Sequence, residues 1–323
     1  MGQEVLLTET FTGTGLPCVY DDKIMSAGAL SLIDFNHSLG GYVGVPGNAA
    51  LLPNIAWKTA NALVAGAPGQ SALSAKINAT SAAAPSYPLI ERTPKLGLHA
   101  IRSQASDVSG ALYNMELAAA IETYMQTNRA HAFYFGIWDY MTRAGTTAGS
   151  PYGGLASVLA YNTSNYLFDD SYSALEPQTS GNGLAGSTSS GRSNNLATGA
   201  RLATWGANGF TGTYSGSPSV IPYIWGGTGG PFVGLHIGAS QILYRQYIED
   251  LTVSAAAGGY ANNGAITVAQ RFAEVVARDT AMYNAAVNLT GSWTATDAGG
   301  NISTFTATGK LNGDTWTAPS GYP

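Results

Sequence analysis

Glu249 and Asp250 stand side by side in Ile-Glu-Asp-Leu, and Asp169 and Asp170 repeat the pairing in Phe-Asp-Asp-Ser. Paired carboxylates are the equipment of glycoside hydrolysis, which needs an acid and a base or nucleophile about 5–9.5 Å apart. Adjacent residues on one strand cannot supply that pair. Their side chains point to opposite faces, whereas residues i and i+2 share one. The four histidines, His37, His99, His131 and His236, are scattered singly. A lone histidine is more often a hydrogen-bonded structural residue than a base or a ligand. Ser-Gly-Ala-Leu-Tyr at 109–113 and Ser-Gly-Ser-Pro-Ser at 215–219 lack the spacing of a nucleophile elbow. HExxH, CxxC and the calcium-loop pattern of an EF-hand do not occur. The glycine run at 226–230 has neither the lysine nor the following helix of a phosphate cradle. The pattern therefore predicts no catalytic residue, no metal site and no cofactor.

Aromatic side chains are the remaining chemistry. Trp205, Tyr223 and Trp225 lie beside segments rich in Gly, Asn and Ser. Indole and phenol rings can stack on sugar rings while neutral amides hold the hydroxyls. The same three residues would equally fill a core or a subunit interface, where large amphipathic rings concentrate. They are the candidate glycan-binding residues.

The elements that must position these residues are legible in part. Residues 243–254, Leu-Tyr-Arg-Gln-Tyr-Ile-Glu-Asp-Leu-Thr-Val-Ser, alternate as a half-buried strand, with Tyr244 and Ile248 on one face and Tyr247 and Leu251 on the other. Residues 267–287 place Val268, Phe272, Val275, Val276 and Met282 at helical intervals. Residues 131–143 form an aromatic strand, with Phe133, Phe135, Ile137 and Asp139 on one face and Tyr134, Trp138 and Met141 on the other. Residues 29–36 read as a strand near the start. Residues 111–127 fit a short helix with a Leu117, Ile121, Tyr124, Met125 stripe. The Ala/Ser-rich stretch 60–85 and the Gly/Ser/Thr/Asn-rich stretch 150–220 are expected to be long loops. Residues 288–323, with turns at 297–300 and 312–314, suggest a small hairpin.

"IEDLTVS" followed by a helix resembles the closing element of laminin-G-like, concanavalin A-like β-sandwich modules, written there as a strand of the form "IDDVRVYNRALS" leading into a helical turn. His131–Arg143 is similar to the family strand "FTISAWVK", and Ala29–Asn36 to the opening strand "LVAHFDFD". The resemblance covers about half the chain. It implies a mainly β antiparallel sandwich over 1–287, closed by the helix at 267–287, with a small C-terminal β extension over 288–323. Glycosidases of this fold class carry Glu-x-Asp-x-Glu on one strand, and this chain does not.

Composition narrows the function. Only 10% of the 323 residues are charged, against roughly 25% in ordinary globular proteins. The net charge of −5 argues against a nucleic-acid partner, which needs a dense Lys/Arg footprint. Cys18 is the only cysteine, expected as a small buried apolar residue, so no intrachain disulfide can form. Met1–Val5 lacks the basic and apolar regions of a signal peptide, and no window approaches the length of a membrane span. A neutral, loop-rich surface without an export signal fits a protein assembled in a host cytoplasm and carried on a virion. With the resemblance, this implies a non-enzymatic structural protein of a tailed-bacteriophage particle: a capsid decoration protein, head fibre or tail component. Its partners would be other virion proteins, copies of itself in a homo-oligomer such as a trimer, and a host-surface glycan. A carbohydrate-binding, lectin-like module is the alternative, and a glycan hydrolase ranks third.

Overall fold

The computed structural model describes residues 20–80, 89–93, 96–101, 112–143, 158–162, 165–168, 199–209, 220–226, 240–286, 291–296, 302–307 and 314–316. Cys18, His236 and the Asp169–Asp170 pair lie outside them.

The first half of the chain forms β1 (Ala29–Asp34), β2 (Leu51–Leu52), α1 (Trp57–Leu63), β3 (Ala75–Thr80), β4 (Leu89–Arg92), β5 (Leu98–Ile101), β6 (Leu112–Glu116), α2 (Ala119–Thr127) and β7 (Phe133–Arg143). The second half adds β8 (Val158–Asn162), β9 (Asn165–Phe168), β10 (Gly199–Ala207), β11 (Val220–Ile221), β12 (Tyr223–Gly226), β13 (Ser240–Asp250), α3 (Leu251–Ala256) and α4 (Val268–Ala286). Three strands close the chain: β14 (Gly291–Thr296), β15 (Ile302–Ala307) and β16 (Asp314–Trp316).

The protein is mainly β, and every strand pairing among the described residues is antiparallel. A six-stranded sheet runs β10-β7-β13-β5-β4, with β1 also pairing β13. Strand β13 gives one edge wholly to β7 and shares the other between β5, at Gln241–Leu243, and β1, at Arg245–Glu249. A four-stranded sheet runs β12-β6-β3-β2. The main core holds side chains from both sheets, among them Ile33, Phe133, Phe135, Ile137, Leu243 and Ile248 from one and Ile77, Met115, Tyr223 and Trp225 from the other. This arrangement is consistent with a β-sandwich reading of the sequence.

The opposite face of the six-stranded sheet is covered by α3 and α4. Phe272 and Val275 of α4 pack on Tyr134, Tyr247 and Leu32. Farther along, Tyr283 and Ala286 pack on Trp138, Tyr140 and Tyr244. Strand β7 is therefore buried on both faces, and the parity expected for Phe133, Phe135 and Ile137 against Tyr134 and Trp138 holds. The helix expected at 267–287 is α4, and the opening strand is β1.

Six expectations need correction. Residues 111–127 are not one helix: β6 takes 112–116 because its backbone pairs with both β3 and β12, and the helix starts at Ala119. The strand at 243–254 stops at Asp250. There the Asp250 carboxylate accepts from the Thr252 and Val253 amides, an N-cap that turns Leu-Thr-Val-Ser into α3. The parity of β13 also changes. A register shift between Leu243 and Arg245 opposite β7 puts Tyr244 on the α4 face and Ile248 in the main core. An extra residue in one strand swaps the faces of everything beyond it. Residues 60–85 contain the end of α1, a 3-10 turn at Ser71–Leu73 and β3, with Leu73, Ala75 and Ile77 in the core. Within 150–220, β10 is an edge strand of the six-stranded sheet, in continuous register with β7 from Gly199 to Ala207. The C-terminal hairpin is a three-stranded meander, β14-β15-β16.

Candidate functional site

The three aromatic candidates are interior. On β12, residues 223 and 225 share the face turned into the sandwich, and both rings are fully buried. Their centroids stand 4.7 Å apart, and Tyr113 meets Trp225 edge-on at 5.5 Å. Trp225 Nε1 donates to the Leu98 carbonyl at 2.9 Å, linking the two sheets. The Tyr223 hydroxyl donates to Asp139 Oδ2 at 3.3 Å. Trp205, on β10, is also buried in this core. A ring must present a face to stack on a sugar, and these faces are spent on the core. The structure brings the three together, as filling between sheets rather than as a surface.

The carboxylates are likewise engaged. Glu249 and Asp250 point apart, as adjacent strand residues must. Glu249 reaches α4, where Oε1 accepts from Arg271 Nε at 2.7 Å and Oε2 from Nη2 at 2.9 Å. The Tyr247 hydroxyl donates to the same Oε2 at 2.7 Å. Burial, joined by the Glu249 charge, pushes the Tyr247 phenol well above its ordinary value. Asp279 of α4 accepts from Tyr134 Oη at 2.6 Å and Trp138 Nε1 at 2.8 Å. Arg245 stacks over the Trp138 ring and holds both Asp22 and Asp34. These groups fasten α4 and the segment before β1 to the sheet.

Asp250 has the most partners. Besides capping α3, its Oδ2 takes the Tyr124 hydroxyl at 2.9 Å and lies 2.6 Å from His131 Nδ1. A half-buried histidine oriented by a buried carboxylate has the form of an acid–base dyad. Here the carboxylate joins α2, the start of β7 and α3, and Thr252 Oγ1 accepts from the Ala132 amide at the same junction. The geometry is that of a structural knot. Among the described residues no group of three His, Cys, Asp or Glu side chains could hold a metal ion.

The described surface also carries exposed apolar side chains. The segment between β1 and β2 exposes Leu39 at 63%, Val43 at 93% and Val45 at 49%, with Leu51 half exposed beside them in sequence. From Phe35 to Trp57 it carries no Lys, Arg, Asp or Glu. The loop is fastened at both ends. The Gly41 amide donates to the His37 carbonyl at 2.8 Å, Tyr113 Oη to the Pro46 carbonyl at 2.6 Å, and the Ala79 amide to Asn48 Oδ1 at 3.0 Å. A valine almost wholly in water on an anchored loop is a preformed apolar knob. Sequence reading missed it because the segment looks like ordinary Gly/Pro/Asn turns. The run of 23 residues without a charge (35 to 57) was the available sign.

No protein-family model matches the chain, and no curated protein matches it. Among the described residues no helix is long and apolar enough to cross a membrane.

Proposed function

We propose that this protein is a non-catalytic structural component of a bacteriophage particle, a decoration, fibre or tail protein working as copies in contact. One observation carries the reading. Among the described residues, Glu249, Asp250, Asp279 and the three candidate aromatics are engaged inside the fold, while most of the exposed large apolar residues, Leu39, Val43 and Val45, sit on one fastened, charge-free loop. Such a surface suits contact with protein better than recognition of a polar small molecule. The low charge and the laminin-G-like strand patterns add to it.

Light scattering on the purified chain, beside Val43→Asp, tests the proposal. The expected result is an assembled wild type and a variant shifted toward monomer with unchanged thermal unfolding. Exposed substitutions of this kind alter stability by about 0.5 kcal/mol or less. A wild type that stays monomeric at high concentration counts against contact between copies through this loop. Hydrolysis of any polysaccharide that a single Asp or Glu change abolishes would replace the proposal with an enzyme. A lectin-like role would need a surface other than Trp205, Tyr223 and Trp225.

A further inference from the structure

The chain contains four Asn-Gly pairs, at 182–183, 208–209, 263–264 and 312–313. An asparagine before glycine can react with its own backbone, because the next amide nitrogen lies within reach of the side-chain amide carbon. Glycine permits the approach: it has no Cβ to obstruct it, and its backbone turns freely. The first and last pairs lie outside the described residues. The other two are held very differently. Asn208–Gly209 follows β10 and is wedged in place, since a Cβ on Gly209 would collide with the Ala130 carbonyl. Asn208 has a bonding partner of its own as well.

Asn263–Gly264 stands in the connection between α3 and α4, where Asn263, Gly264 and Ala265 are all exposed. A Cβ on Gly264 would meet nothing within 4 Å, and its φ of +121° is one that glycine adopts at ease. Among the described residues no acceptor takes the Gly264 amide, and no partner holds the Asn263 side chain. The segment is fastened on either side instead. The Asn262 amide donates to the Gly258 carbonyl at 3.1 Å, and the Ile266 amide to the Ala255 carbonyl at 2.9 Å. Gly258 lies against the intervening peptide: a Cβ there would come 3.1 Å from the Gly264 nitrogen, and as a glycine it leaves that space open.

We propose that Asn263 is a site of spontaneous deamidation through a succinimide formed with Gly264. The Gly264 nitrogen bonds to the Asn263 side-chain carbon and gives up its proton to water, while the side-chain nitrogen leaves as ammonia. Water then opens the ring at either of its carbonyls. Opening at the side-chain carbonyl leaves aspartate. Opening at the main-chain carbonyl leaves isoaspartate, in which the chain runs through the former side chain. Overall a water is consumed and an ammonia released, with no oxidation or reduction. Either product adds a negative charge to the connection. Isoaspartate also lengthens the main chain between the fastened Asn262 and Ile266 amides, beside the turn that carries Tyr260. The reaction needs no partner and does not rest on the function proposed above.

Incubating the full chain at mildly alkaline pH, then digesting it for mass spectrometry, tests the site. The peptide bearing Asn263 should exchange its amide NH2 for OH, with isoaspartate as the larger product, while the peptide bearing Asn208 persists. The same incubation in guanidinium chloride removes the fold, and there the two sites should react at similar rates. Native Asn208 should react at least about tenfold more slowly than unfolded Asn208, because it must wait for local opening, whereas Asn263 should change by less than about threefold. An Asn263 that stays intact in the native protein while it reacts in the unfolded chain overturns the proposal. So does a native Asn208 that keeps pace with Asn263, or aspartate formed without isoaspartate, since direct hydrolysis bypasses the ring. All of these readings come from the wild-type chain, so none depends on a variant that folds.

Discussion

The Arg271 guanidinium and the Glu249 carboxylate meet edge to edge, 2.7 and 2.9 Å apart, with neither side chain exposed to solvent. The pair joins the first turn of the closing helix to the end of the central strand. Arg271 also lies over the Tyr260 ring at 3.8 Å, and Arg278 approaches the same ring at 3.4 Å. Tyr260 in turn donates to the Ile24 carbonyl at 2.7 Å, so the α3–α4 connection holds the start of the described chain in place.

Removing one member of such a pair leaves a buried charge uncompensated. Arg271→Ala should cost about 3–5 kcal/mol, read by urea unfolding. Replacing both, as Glu249→Leu with Arg271→Met, should cost less than either single change, because both desolvation penalties vanish together. A double variant as damaged as the sum of the singles would contradict this.

Trp225→Ala should destabilise the fold by about 3–5 kcal/mol, since the indole fills the space between the sheets and bonds the Leu98 carbonyl. Calorimetry on this variant beside Val43→Asp contrasts a core position with a knob. A Trp225→Ala protein that unfolds at the wild-type temperature would show that the indole is not packed as described.

Asp279 tolerates one substitution and not another. Burial is the main influence on its carboxyl and raises it above the ordinary value, despite the Tyr134 and Trp138 hydrogen bonds and the Arg245 charge. In Asp279→Asn the amide oxygen can still accept from Trp138, and the Tyr134 hydroxyl can turn to accept from the amide nitrogen. Asp279→Leu strands both donors, at about 1–3 kcal/mol each. Thermal unfolding should place Asn close to wild type and Leu far below it.

Asp22 contributes to the acid limb of stability. Burial alone would raise its carboxyl, but the hydrogen bonds and charge of Arg245, with the Ile24 amide and His37, bring it below the ordinary 3.8. A lowered folded value means that its contribution is complete above about pH 4 and is lost as pH falls through that lower value. Asp22→Asn should flatten the decline of unfolding free energy on the acid side. An unchanged slope would show that Asp22 and Arg245 are not coupled.

Two glycines should respond oppositely to alanine. A Cβ on Gly28 would collide with the Asp250 carbonyl and Ser254 Oγ, whereas one on Gly47 would meet open space. Gly28→Ala should cost at least about 1–3 kcal/mol and Gly47→Ala almost nothing, as equilibrium unfolding of the two variants would show.

The helix at 268–286 and the strands at 29–34 and 133–143 could be read from the chain because each carries its own period: 3.6 in Phe272 and Val275, two in Phe133, Phe135 and Ile137. The adjacency of Glu249 and Asp250 likewise sufficed to turn them apart. Four other matters were decided only in three dimensions. The bulge that sends Tyr244 and Ile248 to different faces arises from pairing with β7, so local alternation could not reveal it. Asp250 ends its strand because amides, Tyr124 and His131 converge on it from three elements. Trp225 is core rather than surface because β6 and β5 close around it, and exposure belongs to the packed state rather than to a residue type. Val43 is exposed for the converse reason: it has the chemistry of a core residue, and a loop fastened through Pro46 and Asn48 holds it in solvent.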